Sequence, residues 1–331
     1  MRILVTGGAG FIGSHTVERI VAEHGAEAVR VLDDLSTGSA DNLTDPGVEL
    51  VIGCVTDAPL VARLAADCDA IVHLAAIGSV PRSVDDPVRS HEVNANGTLN
   101  VLEAARRANA HVVFASSSAV YGSASAEVAA EDVPARPMTP YAASKLTAEA
   151  YLSAYAHAYR LRVLPFRFFN VYGPRQTADH DYAAVVPRFI RATLTGDPLR
   201  VHGDGLQTRD FVHVDTVAAA LTTVISSGLA STEPINLAFG TQTSVLDVVD
   251  ALGRLCGSTP PIVHESARVG DVRHSRAEHS RLTALLPDLR DLSFEDGLSR
   301  TVQWYRTHLA AYPEARASAT GTESAATAPR R

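Results

Sequence analysis

Tyr141 and Lys145 stand four residues apart in Pro140-Tyr-Ala-Ala-Ser-Lys145, a spacing that sets both side chains on one face of a helix. A phenol and an ammonium in mutual reach can move protons, because tyrosine titrates near ~10 and a neighbouring cation favours its phenolate. The lysine is singled out by composition as well. Of 29 basic side chains it is the only lysine, and all the others are arginine. A compact ammonium with a tunable pKa stands where chemistry beyond simple charge is wanted. Taken alone, Tyr-x-x-x-Lys is more often an ordinary surface helix, so its meaning depends on what else the chain carries.

Upstream, a β-branched run at residues 3–6 leads into Gly7-Gly8-Ala9-Gly10-Phe11-Ile12-Gly13 and then a helical pattern. In that context glycines let backbone N–H groups approach a pyrophosphate at a helix N-terminus. Asp33 closes the next strand pattern 20 residues after Gly13, the spacing for a carboxylate on a ribose 2′-hydroxyl. It would repel a 2′-phosphate, and Asp34, Leu35 and Ser36 include no arginine to accept one, so NAD is expected over NADP. A third feature is Ser116-Ser117-Ser118 at the end of another strand pattern. Hydroxyls there lie at the carboxyl edge of a sheet, where open α/β sheets bind ligands, although a polar strand end or helix cap would use serines too.

The elements that must position these residues alternate. Strands are predicted at 3–6, 28–33, 49–52, 70–74, 111–116 and 162–168, with helices at 13–24, 87–108 and 140–159. Short strands separated by helix-length segments imply βαβ units and a doubly wound parallel α/β sheet covered on both faces. Residues 1–170 therefore form a dinucleotide-binding Rossmann domain, to which 171–240 is expected to add further sheet elements. Residues 171–312 read as mainly a smaller substrate lobe, with helices at 183–195, 216–227, 244–256 and 294–308. The segment 313–331 lacks apolar periodicity and is expected to be disordered.

Composition excludes several classes. With 331 residues, 46% hydrophobic content and a formal charge of -8, the chain is long enough for a large core and unsuited to nucleic acid, whose affinity needs clustered basic groups. No apolar run approaches the ~18 residues of a membrane span. The N-terminus enters the glycine loop without a secretory leader, so a cytoplasmic location is expected. Cys54, Cys68 and Cys256 fit neither a disulfide framework nor paired zinc spacing. No metal is expected either: no histidine pair has helical ligand spacing, and Asp179-His180-Asp181 lies in a predicted loop.

With these residues quoted, the sequence resembles the extended short-chain dehydrogenase/reductase family, and within it the NAD-dependent UDP-hexose 4-epimerases, closest to those acting on UDP-N-acetylglucosamine. The stretches that carry the resemblance are Thr6-Gly-Gly-Ala-Gly-Phe-Ile-Gly13, His73-Leu-Ala-Ala76, Ser117-Ser-Ala-Val-Tyr-Gly122, Tyr141-Ala-Ala-Ser-Lys145, Arg167-Phe-Phe-Asn-Val-Tyr-Gly-Pro174 and Arg209-Asp-Phe-Val-His-Val-Asp215. They extend over about residues 1–310. The resemblance implies Ser117 as the catalytic hydroxyl, Tyr141 as the base, and Lys145 as the residue that holds the nicotinamide ribose and tunes the tyrosine. It implies NAD contacts from Gly7, Gly10, Phe11, Ile12 and Gly13, from Asp33, Asp34, Ser36, Thr37 and Gly38, and from Cys54, Val55, Leu74, Ala75, Ala76 and Phe168, besides Tyr141 and Lys145. Cys54 departs from the family, which usually has an aspartate there to accept from the adenine amino group; a thiol is a poorer acceptor.

For a nucleotide-sugar substrate the resemblance implies Gly78, Ser79, Ser117, Tyr141, Gln176, Ala184 and Val185, with Asn170, Arg209, Arg268 and Asp271 on the UDP diphosphate and ribose. It makes Ser275 a pocket-wall residue, small where N-acetylated sugars are accepted. Ser118 and Ala119 occupy slots where sugar-nucleotide 4,6-dehydratases typically carry acidic residues, which leaves C4 epimerisation through a transient 4-keto sugar. A dehydratase or 4-ketoreductase is the alternative enzyme, and a dinucleotide-sensing regulator on the same fold is the non-enzyme alternative. Family members often dimerise through helices near 88–108 and 140–159, so a homodimer is expected.

Overall fold

The computed structural model describes residues 1–124, 128–178, 183–267 and 273–308. Arg268, Asp271, the Asp179-His180-Asp181 loop and the 313–331 tail lie outside them. In chain order the strands are β1 (Ile3–Thr6), β2 (Val29–Asp33), β3 (Glu49–Ile52), β4 (Ala70–His73), β5 (His111–Ser117), β6 (Val163–Phe168), β7 (Asn170–Tyr172), β8 (Leu199–His202), β9 (Thr208–Arg209), β10 (Phe211–His213), β11 (Ile235–Leu237), β12 (Thr243–Ser244) and β13 (Ile262–Glu265). Seven of them form one sheet in the order β11-β6-β5-β4-β1-β2-β3, with every neighbouring pair parallel. This is a doubly wound Rossmann sheet. The strand order reverses between β1 and β4, which opens a crevice at the carboxyl ends of the strands.

Helices cover both faces: α1 (Phe11–His24), α2 (Ala58–Ala65), α3 (Val80–Asp85), α4 (Pro87–His91), α5 (Gly97–Ala108), α6 (Pro140–Tyr159), α7 (Val185–Thr195), α8 (Val214–Ser227), α9 (Val245–Cys256), α10 (Ser280–Leu285) and α11 (Phe294–His308). Because side chains alternate along a strand, Ile3 and Val5 pack with Val17 and Ile20 of α1 and Val217 and Leu221 of α8. Leu4 points the other way, to Leu60 of α2, Val101 of α5 and Leu152 of α6. A third core, with Phe189, Val248, Leu252 and Leu298, binds α7, α9 and α11 into the smaller lobe. Among the described residues no helix is long and apolar enough to cross a membrane.

The helix expected over 87–108 differs in its middle. A π turn, Glu92–Asn96, separates α4 from α5. Its buried Asn94 accepts the Ile77 amide at 2.8 Å and donates to Ser144 Oγ at 3.0 Å, so the widened turn serves an inward-facing polar side chain. The helix α2 escapes pattern reading because it is only eight residues long; Asp57 starts it by accepting the Leu60 amide at 3.0 Å.

Candidate active site

The glycine turn is shaped by contacts that leave no room for a side chain. A Cβ on Gly7, which has φ +71°, would lie 2.7 Å from the Ala75 nitrogen, and one on Gly13 would lie 2.1 Å from the Gly7 carbonyl oxygen. Gly10 is different: a Cβ there would meet only the Gly7 oxygen, at 3.3 Å. Gly10 also begins α1, and no side chain caps that helix start. Bare backbone at an uncapped helix N-terminus, beside Phe11 and Ile12, fits the pyrophosphate of a dinucleotide.

Asp33 ends β2 beside this turn and is buried. Its Oδ2 accepts the Ala9 amide and its Oδ1 the Leu35 amide, both at 2.9 Å, and burial pushes its carboxyl above the usual carboxylate range. Asp34, Ser36 and Thr37 follow on an exposed loop, where Asp34 accepts the Ser36 amide at 3.0 Å. Gly38 packs back on the glycine turn, since a Cβ there would lie 2.6 Å from the Ala9 oxygen. After β3, Val55 is buried, and the Arg89 guanidinium lies 3.7 Å from Cys54 Sγ. After β4, the Leu74 amide donates to the Thr6 carbonyl at 3.0 Å and the Ala75 amide to Thr6 Oγ1 at 3.3 Å. Ala76 follows in the same segment, and Phe168, paired with Ser117, ends β6. The expected NAD contacts thus converge on one edge of the sheet.

The catalytic candidates meet at the same edge. Thr139 caps α6 by accepting the Ala142 amide at 3.2 Å, and Pro140 occupies the first turn, where its missing N–H is no loss. Tyr141 and Lys145 then lie one helical turn apart. Ser117 Oγ accepts the Ala119 amide at 3.1 Å, and its hydroxyl draws the Tyr141 phenol's pKa downward against the burial that raises it. Lys145 Nζ is buried, donates to the Ala115 carbonyl at 2.8 Å and lies 4.9 Å from the centre of the Phe114 ring.

Burial raises the Tyr141 pKa, and the group that draws it back is Ser117. Lys145 turns its ammonium to the Ala115 carbonyl, and burial depresses its pKa to about 7.

Several polar residues that pattern reading missed brace this edge. His73 bonds Thr6 Oγ1 at 2.7 Å and Thr98 Oγ1 at 3.0 Å, and burial with the nearby Lys145 depresses its pKa to about 3. Ser83 Oγ accepts the Tyr141 amide at 3.0 Å, and Ser144 Oγ donates to the Tyr141 carbonyl at 2.7 Å.

Five of the expected substrate residues, Asn170, Gln176, Ala184, Val185 and Arg209, line one cavity of about 310 Å³ together with Arg188, Phe189, Gln207 and Phe211. Gln176 Nε2 donates to the Val171 carbonyl at 3.1 Å, but its Oε1 is buried without a partner among the described residues, so a ligand donor would satisfy it. Gly78 and Ser79 lie apart from that lining. Ser79 caps α3, and a Cβ on Gly78 would meet nothing within 4 Å. Ser275 is half-buried, its amide donating to the Thr208 carbonyl at 3.1 Å.

A sequence model of the NAD dependent epimerase/dehydratase family matches residues 3–238. The chain belongs to that family. It is an enzyme of this NAD-dependent group by descent, and its relatives span more than one reaction. It is 39% identical over 315 residues to the UDP-glucose 4-epimerase of Mycolicibacterium smegmatis, covering 92% of this chain and 99% of the relative. It is 35% identical over 314 residues to the dTDP-glucose 4,6-dehydratase of Mycobacterium tuberculosis, covering 92% and 93%. Among solved structures, the UDP-N-acetylglucosamine 4-epimerase of Methanobrevibacter ruminantium, in complex with UDP-N-acetylmuramic acid, superposes with a TM-score of 0.88 at 34% identity, covering 93% of this chain and 98% of that one. For this epimerase/dehydratase family member, NAD is therefore the cofactor that the glycine turn and Asp33 would hold.

Proposed function

We propose that the protein epimerises a UDP-linked hexose at C4, interconverting UDP-N-acetylglucosamine with UDP-N-acetylgalactosamine, UDP-glucose with UDP-galactose, or both, through a transient 4-keto sugar. The observation that carries this reading is the placement of Ser117 at the end of β5 with Tyr141 and Lys145 in the adjoining first turns of α6, Lys145 bonded to β5, with Ser118 and Ala119 next after Ser117 in the chain. NAD, when bound, supplies hydride acceptance and return. Tyr141 takes the proton of the sugar 4-hydroxyl and later gives it back, a general base and then a general acid. Ser117 hydrogen-bonds the same oxygen, and Lys145 stabilises the phenolate while its ammonium is charged.

A 4,6-dehydratase must also eliminate water from the sugar, which needs a further acid or base at the ring. Ser118 and Ala119 supply no carboxyl group. Asn170, Gln176 and Arg209 in the cavity beside β7 are the candidate anchors for the nucleotide, with arginine's planar fork suited to phosphate oxygens. A homodimer is part of this reading: Val84, Val88, Tyr151 and Tyr159 on α3, α4 and α6 are exposed, apolar surface of the kind a second copy covers.

The deciding experiment incubates purified protein and NAD⁺, without other reductant, with UDP-N-acetylglucosamine and UDP-glucose in parallel and follows each by proton NMR. The C4 epimer appears, and it is absent with Tyr141→Phe, whose turnover falls by about 10²–10⁴. A 4-keto-6-deoxy product would overturn the reading in favour of the dehydratase.

A further inference from the structure

Lys145 is enclosed. Its ammonium touches the Ala115 carbonyl and the Phe114 ring, neither of which brings a full negative charge. The titratable and charged groups facing it are few. From β4 comes His73, kept neutral by burial between two threonines. From its own helix come Tyr141 and, one turn further on, Glu149. From β6 comes Arg167, which reaches Glu149.

Glu149 is 7% exposed and Arg167 is 5% exposed. Arg167 Nε donates to Glu149 Oε1 at 3.0 Å and its terminal nitrogen to Oε2 at 2.8 Å. Ser116, paired with Arg167 across the sheet, donates a further short bond to Oε1. Behind the pair, the guanidinium carbon lies 4.7 Å from the centre of the Tyr121 ring, and Tyr121 donates to Asn236 at 2.6 Å. Arg167 thus contacts the carboxylate directly while Lys145 stands one helical turn from it, in a space with little water to screen them, where charges interact far more strongly than at a surface.

We propose that Glu149 and Arg167 form a positioning pair that sets the charge of Lys145, so that two residues behind the reacting edge govern the lysine's protonation and, through it, that of Tyr141. The carboxylate holds the ammonium charged, and the guanidinium weakens that hold by sharing it. The inference deepens the proposed reaction and rests on Lys145 acting on Tyr141, but the charge device itself is testable without turnover. It also accounts for burying an ion pair at this place, since such pairs add little net stability. Burial depresses Lys145 and Glu149 raises it, in keeping with this arrangement.

Because the chain has one lysine, isotopic labelling of lysine gives a single side-chain NMR signal whose titration reports Lys145 directly. The measurement uses the full chain with and without NAD. Glu149→Gln leaves two cations without an anion and is expected to lower the midpoint by about one pH unit; Arg167→Met leaves a simple pair and is expected to raise it by a similar amount. A purely structural role would not drive the two variants in opposite directions. Midpoints that stay in place, or move together, overturn the proposal. Since Glu149→Gln strands a buried guanidinium and endangers the fold, Arg167→Gln, which keeps an amide donor toward Glu149, carries the test alone: the midpoint must rise, and one that stays or falls overturns the proposal. In the same variants the acid limb of the kcat profile should follow the lysine. Midpoints that move while that limb stays fixed would uphold the charge device and count against the catalytic reading of Lys145.

Discussion

Asp33 Oδ2 accepts the Ala9 amide at 2.9 Å, so the carboxylate that ends β2 also holds the turn that ends β1. Its other oxygen accepts the Leu35 amide at the same distance, and Leu35 has φ +56°, a conformation such a side chain seldom adopts unaided. Asp33 is a fastener for two loops as well as a candidate ribose ligand. Asp33→Ala should strand both amides, lowering stability by about 1–3 kcal/mol and weakening NAD binding at least several-fold. Urea unfolding and an NAD titration check this; unchanged stability with lost NAD affinity would confine Asp33 to the ribose.

The Rossmann frame was legible because its signals are local. Gly7 to Gly13, Asp33 and the Tyr141–Lys145 spacing each announce themselves within a few residues, and β1, β3 and α6 fall at their expected positions. The smaller lobe was less legible because its strands are two to four residues long and gain their pairing from partners distant in sequence. The joining of β9 to β12 is an example. Asn94 and Glu149 were hidden for a different reason. A polar residue on a helix reads as surface until the tertiary fold buries it. Lys145 pointed at Glu149 by the same four-residue spacing that linked it to Tyr141, but nothing in the sequence placed Arg167 opposite.

Stability should fall on mild acidification. Burial holds His73 at about 3 and His111 and His213 at about 4, against 6.5 for a free side chain. A histidine kept neutral by the fold contributes stability that is complete above pH 6.5 and is lost as pH drops toward its folded value. Asp291 acts in the opposite sense. Burial raises it to about 6 from 3.8, so the folded state binds its proton first and gains stability as pH falls through 6. Asp33 and Asp210, also raised by burial, oppose the histidines in the same sense as Asp291, and the three histidines leave a net loss as pH falls from 6.5 toward 4. Urea midpoints at pH 7.5, 6 and 5 measure it. His111 has both ring nitrogens buried without partners among the described residues, so His111→Leu should flatten the curve by about a half; a variant with the wild-type slope would remove His111 from this account.

Substrate choice is expected to turn on Ser275. Its amide donates to the Thr208 carbonyl at 3.1 Å, and Gln207 and Arg209, on either side of Thr208, both line the cavity beside β7. The backbone bond therefore ties Ser275 to the stretch whose Gln207 and Arg209 line the cavity, although Ser275 is not itself in that lining, on a segment also tied down where the Ala277 amide donates to buried Asp210 at 3.1 Å. A bulky residue there can take its volume from the ligand more readily than from the protein. Ser275→Tyr should lower kcat/KM for UDP-N-acetylglucosamine by about 10–200-fold relative to UDP-glucose, the range that steric exclusion of a small group achieves. Parallel rates with the two sugars measure the ratio. Equal loss on both would mean that the tyrosine disturbs the shared nucleotide site, and unchanged rates on both would mean that Ser275 does not bound the sugar at all.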